Sequence, residues 1–307
     1  MMQRRQFIRA TFASGLSLIF ADGYAAIAPH QAAGIDIPLW PGLPPGGGGP
    51  VGAARYSSTG ALSHIARPGL TLLPASGADG KAVLIAAGGG YKRISLAREA
   101  WPAACWLQQQ GYNAYILCYR LPGEGWHDGA SVALQDARRA LRVIASREKR
   151  LSVLGFSAGG HLMGMAITAN GLGDYPPQDA LDDTSVSVDG AALIYPVVTL
   201  ERPWSHTSTH RMLVGPQASD QQNARWSVQR HVTPATPPVF LVQAEDDTLA
   251  SPHNSIVMAE ACQRAQVPVE LHLYRNGGHG FALGKAGTAT VAWPAAYRLW
   301  LKRIMAE

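Results

Sequence analysis

The chain has 307 residues, 47% of them hydrophobic and 15% charged, with 26 Lys and Arg against 21 Asp and Glu for a formal charge of +5. This is the composition of an ordinary globular protein with chain enough for one large α/β domain or two small ones. The basic residues are scattered apart from Arg138-Arg139 and the cluster from Arg147 to Arg150, which read as solvated helix faces and exclude a nucleic-acid footprint; three cysteines, Cys105, Cys118 and Cys262, are too few for a disulfide framework.

In chain order, Arg4-Arg5-Gln6-Phe7-Ile8-Arg9, a mostly apolar run from Ala10 to Phe20 and the small-residue end Ala26-Ile27-Ala28 have the layout of a twin-arginine export signal. The apolar run is short for a membrane span. Residues 1–28 are therefore expected to be removed, leaving a mature chain from near Pro29 in the periplasm or outside the cell, without stable membrane insertion. Such a compartment permits one disulfide. Cys105 and Cys118, however, fall inside a predicted helix and a predicted strand, where a thiol acts as a small hydrophobe.

Residues 29–63 include the Pro/Gly-rich run from Trp40 to Gly49, which cannot form regular helix or central strand and is expected to be an irregular surface arm. No Lys-Ser/Thr follows its glycines, so it is not a phosphate cradle. A catalytic domain is expected over 64–307. It opens with a strand in 64–73, a buried strand from Ala82 to Ala87, a helix from Ser95 to Gln110 despite Pro102, and a strand from Asn113 to Tyr119. A helix follows from Ala130 to Arg147, then a strand from Leu151 to Leu154, a helix from His161 to Ala169 and a strand from Gly190 to Val197. Beyond these come a strand from Pro238 to Ala244, a helix from His253 to Ala265, a strand from Val269 to Tyr274 and a last helix from Val291 to Met305. Alternation of this kind predicts a mostly parallel sheet with helices on both faces. The rhythm breaks at about 199–234, a polar segment holding Trp204, His206, His210 and Trp226, which is a candidate lid.

The chemistry is concentrated at strand ends. Gly155-Phe156-Ser157-Ala158-Gly159 follows the strand at Leu151 to Leu154 and opens a helix, the setting in which G-x-S-x-G forms a sharp elbow that exposes the serine hydroxyl. A serine needs an imidazole to take its proton and a carboxylate to orient that imidazole. Glu245-Asp246-Asp247 and then Gly277-Gly278-His279-Gly280 follow two later strands in the required order, at the edge where open α/β sheets place their sites. Among the carboxylates Asp247 is preferred, then Asp246, then Glu245. Gly88-Gly89-Gly90-Tyr91 follows the strand ending at Ala87 and stands where this fold supplies an oxyanion N–H, with Ala158 as a second source.

These motifs, together with Asn254-Ser255, resemble the secreted α/β-hydrolase esterases of the acetyl xylan esterase and xylanase-like group over about residues 80–305, with hormone-sensitive-lipase-type esterases as more distant relatives. The resemblance implies an α/β-hydrolase fold with Ser157 as nucleophile, Asp247 as acid and His279 as base, and oxyanion donors at Gly89, Gly90 and Ala158. Asp247 rather than Asp246 fits the family's spacing to the Asn-Ser pair. Ala87 stands where the lipase-type relatives carry histidine, which favours the carbohydrate-esterase branch. The family's Val-Pro pair is missing between Asp247 and Asn254, so a different local loop is expected there. The implied substrate is an acetyl ester on plant polysaccharide, with no metal or organic cofactor required. The alternatives are a general short-chain carboxylesterase or lipase-like enzyme and, in another class, a catalytically silent polysaccharide-binding module; oligomeric state is left open.

Other signals read more plainly. His206 and His210 have a metal-like spacing without the intervening Glu and are expected in a loop. Trp126-His127-Asp128 is expected as a surface loop at the pocket rim, with no third metal ligand nearby. Tyr91, Trp126 and Trp204 are candidate substrate contacts and Trp226 a further stacking platform, because a flat ring suits a sugar face.

Overall fold

The computed structural model describes residues 36–306, and the expected export signal at 1–28 lies outside them. Ten strands occur among these residues: β1 (Ile37–Pro38), β2 (Arg55–Tyr56), β3 (Leu62–Ser63), β4 (Gly69–Leu73), β5 (Lys81–Ala86), β6 (Asn113–Cys118), β7 (Arg150–Phe156), β8 (Gly190–Ile194), β9 (Val239–Ala244) and β10 (Val269–Tyr274). Eight of them form one sheet in the order β1-β4-β6-β5-β7-β8-β9-β10, while β2 and β3 pair as a separate hairpin. The strands from β6 to β10 run parallel, and β4 is antiparallel to β6.

The continuous apolar character of β5, β7, β8 and β9 follows from burial on both faces. The helices that cover them are α1 (Trp101–Gln109), α2 (Ser131–Ala145), α3 (Ala158–Thr168), α4 (Ser208–Leu213), α5 (Asp220–Arg225), α6 (His253–Arg264) and α7 (Trp293–Ile304). α1 and α7 share one face, where Trp106 stacks on Tyr297; α2, α3 and α6 lie on the other.

Three expectations need correction. The helix from Ser95 to Gln110 is two segments, a π-helical turn at Leu96–Ala100 and then α1, with Pro102 in the first turn of α1, where its missing N–H costs nothing. The arm at 29–63 is neither wholly irregular nor wholly on the surface. β1 pairs with β4, Gly48 bridges to Trp126, and Leu39 and Trp40 are buried; the apolar pair and the buried Asp136 that accepts from Trp40 Nε1 (2.8 Å) draw this segment into the domain, which therefore starts before 64. The stretch around His206 and His210 is not simply loop, since α4 begins at Ser208 with Thr207 Oγ1 accepting from His210 N. The thiols of Cys105, Cys118 and Cys262 are all free.

Candidate active site

The strand order brings distant residues to one edge. β5 and β7 are neighbours, so the loop after β5 lies beside the turn after β7; β9 and β10 are neighbours, so the loops carrying Asp247 and His279 meet. Both glycines of the elbow are required by close approach: a Cβ on Gly159 would sit 2.0 Å from Ala86 O, and one on Gly155 would sit 2.5 Å from Gly159 O. Ser157 itself is held at φ 52° and ψ −116°, a region that L-residues seldom occupy. Its backbone is pinned there because its N–H donates to Ile194 O (3.0 Å) and its carbonyl accepts from His161 N (3.1 Å) and Val197 N (3.2 Å).

From this elbow Ser157 Oγ stands 2.8 Å from His279 Nε2, and His279 Nδ1 stands 2.7 Å from Asp247 Oδ2. A carboxylate only accepts, so Nδ1 carries the proton and Nε2 is left to accept from the serine. Asp247 is buried and fully engaged: Oδ2 also accepts from Gln243 Nε2 (2.9 Å), and Oδ1 accepts from Leu249 N and Ala250 N (both 2.9 Å). Asp246 points elsewhere. Its Oδ1 accepts from Gly277 N (2.9 Å) and Gly278 N (2.7 Å) and so holds the loop that presents His279; these N–H donors hold its carboxyl below the usual range. Glu245 is exposed.

Beside the serine, Gly89 and Gly90 have φ of +125° and +65°. No described residue accepts from the backbone N–H of Gly89, Gly90 or Ala158, so these donors are open for a developing oxyanion.

Two residues that the motif reading passed over tie this site together. Glu99, on the π-helical turn, is buried; its Oε2 accepts from Gly88 N (2.6 Å), its Oε1 accepts from Tyr195 Oη (3.0 Å), and burial raises its pKa. The Tyr195 hydroxyl in turn accepts from Ala282 N (3.1 Å), and its ring packs edge-on against His279 with centroids 5.0 Å apart. The oxyanion loop and the histidine loop are thus joined through one buried carboxyl and one phenol. The visible hint was Tyr195's position at the carboxyl end of a predicted strand.

None of the candidate aromatic contacts, Tyr91, Trp126, Trp204 and Trp226, lines the cavity at Ser157. Tyr91 is buried, with its hydroxyl donating to His161 Nδ1 (3.0 Å). Trp126 is buried against Gly49 and under the Arg120 guanidinium, 4.8 Å from the ring centroid. Trp204 stacks on His253 with centroids 4.5 Å apart, beside a different cavity, and Trp226 is buried with its carbonyl accepting from His161 Nε2 (2.8 Å). His127 and Asp128 pack on the arm glycines, their N–H groups donating to Gly47 O (3.0 Å) and Gly46 O (3.2 Å) rather than rimming the site. The ring directions depend on tertiary packing that sequence spacing does not encode. Among the described residues no group of three or more His, Cys, Asp or Glu is placed to hold a metal ion.

Above Ser157 lies a cavity of about 430 Å³. The apolar side chains lining it are Val197, Leu249 and Ala250, and the 199–234 segment closes one side, with Ser208 Oγ donating to Gly90 O (3.1 Å).

The chain belongs to the α/β-hydrolase family: the family model described as alpha/beta hydrolase fold matches residues 97–283. Within that family it is similar to an endo-1,4-beta-xylanase B of Butyrivibrio fibrisolvens, at 31% identity over 66% of this chain and 32% of that one. It is also similar to an acetylxylan esterase of Xylanibacter ruminicola, at 28% identity over 67% of this chain and 42% of that one. The chain thus spans 32% and 42% of the length of these two curated relatives. Among solved structures, an acetyl ester-xyloside bifunctional hydrolase from Caldicellulosiruptor lactoaceticus superposes with a TM-score of 0.68 at 27% identity, covering 85% of this chain and 97% of that one. A carboxylesterase from Lactobacillus plantarum superposes with a TM-score of 0.63 at 26% identity, covering 83% and 98%.

Proposed function

We propose that the protein is an exported serine esterase that releases short acyl groups, acetyl above all, from acylated carbohydrate. The observation that carries this reading is the hydrogen-bonded series Ser157, His279 and Asp247 opening into a small cavity with few apolar walls. His279 Nε2 takes the Ser157 proton as Oγ bonds to the ester carbonyl carbon, and the carbonyl π pair moves onto oxygen facing the N–H groups of Gly89, Gly90 and Ala158. Collapse of this intermediate expels the sugar oxygen, which leaves as an alcohol with the proton from His279. Water then gives its proton to His279 and attacks the acyl carbon, and Ser157 departs and recovers that proton as the carboxylic acid is released. Val197, Leu249 and Ala250 offer contact for a short acyl chain and none of the extended apolar surface a fatty acyl chain needs. Similarity to the acetylxylan esterase supports the acetyl group, and the layout of residues 1–28 supports export.

The test is acetate release from acetylated xylan with Ser157→Ala as control, where loss on the order of a millionfold in kcat is expected. Absence of acetate release by the unmodified protein would sink xylan deacetylation and leave small-ester hydrolysis or a binding role to separate. A second reading, a general short-chain carboxylesterase, is favoured by the lack of any Trp, Tyr or Phe ring among the residues lining the cavity. It predicts faster turnover of simple aryl acetates than of any acetylated glycan.

A further inference from the structure

Ester hydrolysis by a serine needs no net charge in the substrate pocket, yet this pocket is strongly basic. Lys92, Arg93 and Arg98 line it on the side of the oxyanion loop and π-helical turn, and Arg211 lines it from α4 on the other side. All four residues are exposed, and none pairs with a carboxylate of a described residue. Elsewhere on the surface Arg150 pairs with Asp189 and Arg230 with Glu201, whereas Arg147, Arg275 and Arg298 pair with no carboxylate of a described residue, so it is the gathering of four such cations around one cavity that sets this pocket apart. The Arg211 guanidinium makes one hydrogen bond, Nη1 donating to His206 O (2.9 Å), which leaves most of its fork open.

Glu99 is the one carboxylate in the lining; it is buried, with its oxygens occupied by Gly88 N and the Tyr195 hydroxyl, and of the four basic residues it is Arg98 whose charge it feels, which leaves Lys92, Arg93 and Arg211 without a carboxylate partner. Like charges gathered around a small cavity repel one another, and an anion among them relieves that cost. A guanidinium fork matches the two oxygens of a carboxylate, and several forks facing one cavity suit a carboxylate better than a neutral hydroxyl-bearing sugar.

We propose that the substrate is an O-acylated sugar acid, a uronate whose carboxylate is held by Arg93, Arg98, Arg211 and Lys92 while its ester is presented to Ser157. This rests on the serine-esterase reading above. The cavity volume lies within the range of pockets that enclose a small organic ligand, enough for an acyl group and the sugar that bears it.

Three measurements test the proposal separately from the reading beneath it. Hydrolysis of 4-nitrophenyl acetate, abolished by Ser157→Ala, reports on the esterase reading alone. The ratio of kcat/KM for acetylated oligogalacturonide to that for acetylated xylo-oligosaccharide reports on charge selection. It is expected to favour the uronate about tenfold at about 20 mM salt and to collapse toward unity at about 500 mM. Arg93→Gln and Arg98→Gln are each expected to lower that ratio roughly 2- to 5-fold through KM, whereas Lys302→Gln, exposed on α7, leaves it unchanged. Binding of trigalacturonate against xylotriose to the Ser157→Ala protein reports on the basic site without turnover; binding of the acidic sugar alone, weakened by salt, is the expected result. Equal kcat/KM for the two glycans, a preference unmoved by salt and by both arginine substitutions, or failure of trigalacturonate to bind would overturn the proposal.

Discussion

Asp247 and Asp246 are adjacent, chemically identical and employed for different ends, and the difference lies in which strand-end loop each faces. Asp247 turns inward to His279 Nδ1 with three further donors fixing its oxygens, while Asp246 turns outward to the N–H groups of Gly277 and Gly278. Asp247→Asn removes the acceptor that sets the imidazole tautomer and is expected to lower kcat by on the order of 10⁴-fold with KM little changed. Asp246→Ala only frees the loop, so a loss of about 10- to 100-fold from misplacement of the ring is expected. Steady-state kinetics on 4-nitrophenyl acetate separates the two, and equal losses would show that the distinction drawn from their hydrogen bonds is wrong. At this scale the meeting of Ser157, Asp247 and His279 was legible because each directly follows a strand of recognisable apolar pattern. Glu99 and Tyr195 were not, because a glutamate in a helix and a tyrosine at a strand end carry no motif, and only the sheet order makes them neighbours.

Among the elements, the arm before β2 departs furthest from its sequence pattern. Proline and glycine forbid regular structure there, which is correct locally, but that says nothing of where Leu39 and Trp40 go. Trp40 packs edge-on against Tyr175 with centroids 4.7 Å apart, lies near the Arg120 and Arg139 guanidinium groups, and donates to Asp136. Asp136 also receives Arg120 Nε, so the indole completes the shell of a buried ion pair. Trp40→Ala is expected to cost about 3 to 5 kcal/mol, measured as a lowered urea midpoint, with the slope unchanged if the arm docks as part of one cooperative unit. The 199–234 segment was legible as a break in rhythm but not as structure, since α4 and α5 are six residues each and too short to show a periodic apolar face. Their N-caps are Thr207 and Ser219, whose hydroxyls accept from His210 N and Gln222 N. The segment is moored to the domain where Asn254 Oδ1 accepts from Val198 N (2.8 Å) and Thr199 N (3.0 Å), and its two ends are tied to each other, with Ser227 Oγ accepting from Leu200 N (2.8 Å).

For the whole molecule, the parallel sheet with two helical layers was readable because strands buried on both faces carry an uninterrupted apolar run, and their order follows from short connections. Stability is tied to pH by a buried histidine one turn along α3 from Ser157, whose ring faces away from Ser157 toward Tyr91 and the Trp226 carbonyl. His161 donates through Nε2 to Trp226 O and accepts at Nδ1 from the Tyr91 hydroxyl, and burial lowers its pKa to about 4 from an ordinary 6.5. The unfolded chain takes up that proton below about pH 6.5 and the folded chain does not. Stability is therefore full above 6.5 and falls by about 3 kcal/mol as pH drops toward 4. Urea midpoints at pH 7 and pH 5 measure this, and His161→Gln should flatten the dependence; an unchanged slope would remove His161 as its origin.

The backbone of Ser157 has an implication for how far this chain can be stabilised. Its φ and ψ fall where tight turns reserve a place for glycine, and its hydrogen bonds, donated to Ile194 O and accepted from His161 N and Val197 N, keep it there against its own preference. Ser157→Gly is accordingly expected to raise the melting temperature by a few degrees, a gain of about 1 kcal/mol, while ending turnover. Under the proposed mechanism glycine at this turn gains stability and ends turnover, so selection for heat resistance alone, without selection for turnover, would be drawn toward discarding the proposed nucleophile.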